Sequence, residues 1–385
     1  MSTDTAPGPA PETPDPSRRR GRLRLAAGLT GGAAFLAGAL FWVSGGWDAW
    51  RHDGALDSAC DGTLAAGPVR ELVGGAEVTA DIRRDRIGSW WQCRVTEVDA
   101  DDADDADDGA GRIDLRVTVS EAGDRLFDID ASRTDAPLGH GWTGGFAFDP
   151  DRENADRGDA TATLLLDCRG KRGGGLTAEV RARTDRLDFG RPEARARLTA
   201  VLTGTATAYA RQTGCEAVEG GPVTEVGVSA TAWDHEPFGT VSGSCAGIVD
   251  AATAGRWGVR TAVETAPGPK PVEGCVLGGL RGAPLYEFTA SYGAGLDWAT
   301  RERLEDRTDD RKGDAPDGGY LLWAACPGGT KRAAYTVSTP GRAYETSELA
   351  LDHPGLRAAL QRFAARSAQA HGCGLPGTGR VYDAG

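Results

Sequence analysis

The sequence is short of the residues that most chemistry needs. Its five His, at 52, 140, 235, 353 and 371, are dispersed, and no two lie within two to four positions of each other, so the local spacing of a histidine metal site is missing. Cations are outnumbered, 43 Lys and Arg against 56 Asp and Glu, and the net charge of −13 excludes a general nucleic-acid-binding surface. There is no P-loop, no G-x-S-x-G elbow and no G-x-G-x-x-G after a strand; Gly239-Thr240-Val241-Ser242-Gly243 has the wrong spacing. None of the eight Cys forms a C-x-x-C pair. No catalytic residue, metal ligand or cofactor follows from the sequence, which reads as a non-enzyme.

What is present begins with an address. Residues 1–17 are mostly Pro, Thr, Ala and Asp, with too little to bury to offset the entropy of ordering. Arg18, Arg19, Arg20, Arg22 and Arg24 follow, and then no charge occurs from Leu25 to Trp47. A helix over 25–47 would span about 34 Å at 1.5 Å per residue, enough for a hydrocarbon core of about 30 Å. Five Arg against three acids before it predict a cytoplasmic N-terminus, 1–24, and export of everything after the anchor. Trp42, Trp47 and Trp50 fall where the outer interfacial belt would lie. The alternatives are a cleaved signal peptide and a hydrophobic soluble helix. No Cys lies near the segment's end, so a lipoprotein anchor is excluded. The expected location is the plasma membrane, with an extracytoplasmic part carrying −15 and all eight Cys.

The exported part reads as one plan used twice. Cysteines stand at 60, 93, 168 and 215 and again at 245, 275, 326 and 373, and the last interval of each set is the same. Sliding the chain on itself by 158 residues superimposes these two pairs and also Leu164 on Leu322, Leu198 on Leu356 and Leu202 on Leu360. A tandem duplication follows, with copy one at 52–216, a linker at 217–239 and copy two at 240–385. Each copy opens with a short helix, predicted in the first over Pro68–Val73 and stopped by Gly74-Gly75. Strands are predicted over 89–98, 112–120, 160–167 and 176–183; Ile113, Leu115, Val117 and Val119 alternate on one face, the pattern of a half-wet antiparallel sheet. A long helix closes each copy, Pro192–Gln212 and Pro354–Gly372, with Leu198, Val201, Leu202, Thr205 and Tyr209 in one and Leu356, Leu360, Phe363 and Ala364 in the other at helical spacing. The fold class is α+β: two tandem antiparallel-sheet domains, each flanked by a short N-terminal and a longer C-terminal helix.

In an oxidising compartment eight Cys predict four disulfides. The element order suggests Cys60 with Cys93, Cys168 with Cys215, Cys245 with Cys275 and Cys326 with Cys373. Four Cys per copy allow three pairings, and the sequence leaves them open.

Cys60-x-x-x-Leu64, Val69, Leu72-Val73-Gly74 and Trp91-Gln92-Cys93, followed by a closing amphipathic helix, resemble the exported actinobacterial lipoprotein-type domains of unassigned function. Their fold is similar to that of Mog1/PsbP-like proteins, an antiparallel sheet between N- and C-terminal helices. The resemblance covers the first copy. Glu273-Gly274-Cys275 departs from it where Trp-x-Cys is expected in the second. It implies fold and location, and no site residues.

The Asp-Ala-Asp run over 99–108 fails the EF-hand template, because Ala106 and Leu115 fall where ligands belong, and it reads as a solvated hairpin loop, with weak cation binding the alternative. Trp90, Trp91 and Trp142 are the binding candidates. Adjacent strand residues face opposite ways, so one of Trp90 and Trp91 enters the core and the other reaches solvent, where it would serve as an interface anchor or be covered by the loop 139–145. The functional expectation is a single-pass, membrane-anchored cell-envelope binding or sensing module, its partner an envelope protein or cell-wall ligand and not nucleic acid. The alternative is an envelope-acting hydrolase.

Overall fold

The computed structural model describes residues 56–84, 90–98, 113–121, 134–148, 159–169, 175–184, 186–231, 234–293, 320–326, 332–339, 352–374 and 382–383. The segment 25–47 and the Asp-rich run at 99–108 lie outside them. No helix among the described residues is long and apolar enough to cross a membrane.

The chain is α+β. Residues 56–62 are helical and lead into α1 (Ala66–Val73), which buries Val69, Leu72 and Val73 and stops at Gly74, whose φ of 64° is the left-handed geometry of a helix C-cap. A seven-strand path follows, in spatial order β1 (Val78–Arg84), β2 (Trp90–Glu97), β3 (Asp114–Glu121), β7 (Gly175–Arg183), β6 (Ala160–Arg169), β5 (Thr143–Phe148) and β4 (Ala136–Pro137), with β8 (Glu216–Ala217) on β6. All pairings are antiparallel. Helix α2 (Pro192–Gln212) lies across β3, β6 and β7. Its Leu198, Val201, Leu202 and Thr205 are fully buried against Leu115, Val117, Val119 and Val180 of the same core.

The second sheet runs β15 (Tyr382–Asp383), β13 (Tyr320–Ala325), β14 (Arg332–Ser338), β12 (Pro284–Tyr292), β11 (Val272–Gly278), β10 (Thr261–Glu264) and β9 (Glu236–Pro237), with a short helix α3 (Ala251–Arg256) between β9 and β10 in the chain. The path β10-β11-β12-β14-β13 repeats β1-β2-β3-β7-β6. Register agrees as well: Cys93 of β2 faces Val117, and Cys275 of β11 faces Phe288, each on the strand that then pairs with the post-hairpin strand. Helix α4 (His353–Ala370) covers β12, β13 and β14 with Leu356, Leu360, Phe363 and Ala364. It starts at Asp352, whose carboxylate accepts from the Gly355 N–H at 3.0 Å and from the Trp257 indole at 3.2 Å.

Four disulfides close the described structure, Cys60–Cys93, Cys168–Cys215, Cys245–Cys275 and Cys326–Cys373, and no Cys is free. Two of them join strand to closing helix over a separation of 47 residues each.

Two expectations are corrected. The strands of the first sheet are not uniformly wet on one side: Thr163 and Leu165 of β6, Thr177 of β7 and Ser120 of β3 are buried although they point away from α2. Leu165 belongs to the second half's core, and the Ser120 and Thr177 hydroxyls bond each other at 2.6 Å. The stretch 139–145 is only partly a loop. A turn of left-handed residues, Gly139, His140 and Gly141, reverses the chain, and β5 begins at Thr143. The segment after β8 is strapped to the first half, with Gly221 N–H on His140 O at 2.7 Å, Arg195 on Val226 O at 2.8 Å and Ala230 N–H on Thr134 O at 2.9 Å.

Replacing Cys168 and Cys215 together by Ser should remove about 4 kcal/mol of stability, the chain-entropy value for a loop of 47 residues. The Cys326→Ser/Cys373→Ser pair, closing an equal loop, should lose the same amount in urea unfolding under non-reducing conditions.

Candidate functional site

The strand and helix cysteines hold one particular pair of side chains face to face in each half. In the first, Trp91 stands two positions before Cys93, and Tyr209 precedes Cys215 on α2. Their rings meet at 5.8 Å with a 45° tilt, and Trp91 is 4% exposed. At the matching positions of the second half stand Glu273 on β11 and Ser367 on α4. Where the first half has an apolar bridge between sheet and helix, the second has a polar one.

Ser367 donates its hydroxyl to Glu273 Oε2, and His371 Nε2 donates to Oε1 at 2.9 Å. An ionised carboxylate only accepts, which sets the direction of the rest. Tyr292 donates to Ser367 Oγ at 2.6 Å and Tyr335 lies 3.4 Å from the Tyr292 oxygen. The His371 ring stacks on Tyr292 at 3.5 Å, nearly parallel. Glu273 and Ser367 are buried, as are both Tyr. Burial, reinforced by the Glu273 charge, pushes the Tyr292 hydroxyl well above its ordinary value and that of Tyr335 up to about 12, so both stay protonated donors at neutral pH. Ser367 gives its proton to the carboxylate, not to His371, so this arrangement is not a hydroxyl activated by an imidazole.

Of this polar nest, Glu273 and Ser367 line a half-open cleft of about 70 Å³ between α4 and the loop joining β10 to β11. Lys270, Arg366, Thr265 and Gly243 also line it. A Cβ on Gly243 would come within 2.2 Å of the Thr265 carbonyl, so this wall can approach only as glycine. Arg366, exposed at the rim, donates to Ala246 O.

Lys270 is 1% exposed and connects the cleft to the first half. Its Nζ donates to Asp135 O at 2.5 Å and to Thr265 Oγ1 at 2.7 Å, while the neighbouring Pro269 carbonyl accepts from Gly144 N–H at 3.1 Å. Burial pushes the ammonium down to about 8, with the charges of Asp135 and Glu273 pulling the other way.

The sequence-derived candidates are placed elsewhere. Trp91 is a core residue. Trp142 is buried too, its indole donating to Gly221 O at 2.7 Å, and Trp90 is half-buried on the opposite face of β2. The three do not share a surface. His353 opens α4 and bonds the Tyr320 hydroxyl. His371, at the end of α4, is the partner of Glu273. The break from Trp-x-Cys at Glu273 was the sequence signal for this site. Among the described residues no group of three or more His, Cys, Asp or Glu could hold a metal ion.

Comparison with family models, with curated proteins and with solved structures finds no match.

Two measurements test the placement. Trp91→Ala should cost about 3–5 kcal/mol as a large core truncation, and Trp90→Ala much less. For Lys270, the folded ammonium releases its proton near pH 8, whereas an unfolded lysine releases it near 10.4. Over that interval the unfolded chain binds more protons, so stability should rise with pH from about 8 to 10, by on the order of 1–3 kcal/mol, and should fall as pH drops through 8. Denaturation midpoints of Lys270→Met should lack that rise.

Proposed function

We propose that the chain is a single-pass membrane protein, its N-terminus cytoplasmic and residues 25–47 spanning the plasma membrane, whose exported part is a cell-envelope binding or sensing module built from two tandem copies of one α+β domain. The observation that carries this reading is the complete pairing of the cysteines. Four disulfides are stable where thiols are oxidised, and all lie on the side of the 25–47 segment that the five preceding Arg would leave outside. The repeated strand path and the matching 47-residue staples support duplication. A sheet between a short opening helix and a long closing helix agrees with the resemblance to exported lipoprotein-type domains of Mog1/PsbP-like fold.

Within this module the cleft of the second copy is the binding element and the first copy is its structural platform. The first copy fills the equivalent place with Trp91 against Tyr209, while the second exposes a buried acid, a hydroxyl and two cations to a small opening.

A reporter enzyme that needs disulfides for activity, fused after residue 385, should be active in intact cells, with the chain remaining in the membrane pellet after alkaline carbonate. An inactive fusion would overturn export, and full release of the protein into the soluble fraction would overturn the retained anchor.

A further inference from the structure

The cleft's chemistry narrows what it can take. Glu273 is already met from within by Ser367 and His371, so its charge is partly matched before any ligand arrives. An ionised carboxylate has about four acceptor positions, and two are occupied here. At the rim, the Arg366 guanidinium carries five N–H donors and among the described residues makes one hydrogen bond, to Ala246 O. Behind it the Lys270 ammonium adds a second positive charge in a desolvated position. The lining therefore offers a cationic fork at the mouth and an acceptor at the back.

Size sets the next limit. A water needs roughly 10–15 Å³ on this measure, so about 70 Å³ admits about five heavy atoms. That is a carboxylate, its α-carbon and an attached nitrogen, and little more. The half-open mouth lets a longer chain continue into solvent.

The first half serves as an internal control. It has the same strand path and the same staple and closes the place with Trp91 on Tyr209, so the fold itself does not require a polar nest there. Burying an acid with a histidine is generally no more stabilising than apolar packing of similar volume. A polar nest at the wall of an opening is then accounted for by what enters the opening.

We infer that this cleft binds a carboxylate with an N–H group on its α-carbon, the carboxylate on Arg366 with Lys270 behind it and the N–H on Glu273. A free small amino acid and the C-terminal residue of a peptide share that chemistry. A bidentate guanidinium–carboxylate pair gives the orientation. Glu273 penalises a dianion, so inorganic phosphate is rejected by like-charge repulsion. This inference rests on the reading of the exported part as a binding module.

Titration calorimetry on the full chain in detergent, with glycine, alanine, alanyl-alanine and inorganic phosphate as probes, tests it. Saturable heat is expected with at least one of the first three and none with phosphate. Glycine and alanine alone would assign the free amino acid, and alanyl-alanine a peptide terminus. Arg366→Gln should weaken binding at least tenfold. Arg362→Gln, one turn earlier on α4 and bonded to Ile248 O at 2.6 Å, should leave it unchanged and serves as the folding control. Absence of heat with all three carboxylates, binding of phosphate as tight as that of glycine, or equal affinity in Arg366→Gln would overturn the inference. Because export and anchoring are read by the reporter fusion and carbonate extraction, a chain that passes those tests and shows no heat rejects this ligand and leaves the envelope placement intact.

Discussion

The bond between the end of a strand and the end of the closing helix, made by Cys168–Cys215 in one half and Cys326–Cys373 in the other, fixes how helix and sheet face each other. A helix on a sheet can slide along its axis by a turn with little loss of apolar burial, since a leucine row offers several equivalent seats. A covalent tie at the helix C-terminus removes that freedom. It sets Tyr209 over Trp91 in the first half and Ser367 over Glu273 in the second, at equal distances from the closing cysteine. The other pair in each half, Cys60–Cys93 and Cys245–Cys275, ties the opening segment to the same strand that carries Trp91 or Glu273. Both ends of each layer are thereby anchored at the place where the halves differ.

That difference is one of dielectric environment more than of shape. Trp91 and Tyr209 fill their site and exclude water. Glu273, Ser367 and His371 need hydrogen-bond partners to be buried at all, and Tyr292 and Tyr335 supply them from the neighbouring strands β12 and β14. Each member is satisfied by the next, which is the condition under which a buried polar network is tolerated. The stacked His371 and Tyr292 rings place the acid's partner under the end of α4, so the nest also closes the helix terminus.

The elements that were legible in the sequence are those with local signals. α2 occupies the predicted Pro192–Gln212, bounded by a proline in its first turn and by a Gly after it. Ile113, Leu115, Val117 and Val119 all turn inward. The four disulfides follow the element order. What was not legible depends on contacts between distant segments. β1 alternates, with Val78, Ala80 and Ile82 half-buried between exposed Thr79, Asp81 and Arg83, but its apolar members are few and include a small Ala, so the signal is weak and the strand is held by its pairing with β2. Burial of Leu165 on the far side of β6 comes from a separate part of the chain, and no periodicity within a strand can report it. Lys270 looks like a lone loop cation between Pro267 and Pro271, yet its ammonium ends on Asp135 of the other half.

That last contact links the site to the rest of the molecule. The loop between β10 and β11 is one wall of the cleft and also the segment through which the second half touches β4 and β5, by Lys270 on Asp135 and Pro269 on Gly144. A buried ammonium held by a carbonyl and a hydroxyl keeps its place only while both segments stay where they are, since moving either leaves a desolvated charge short of partners. The loop is therefore held from two sides, by Glu273's neighbourhood and by the first sheet. Any change in charge at Glu273 alters the field at Lys270, and through it the strength of the contact between the halves. The two halves are thus not independent: the half with the apolar core supplies the fixed surface against which the polar cleft of the other is braced.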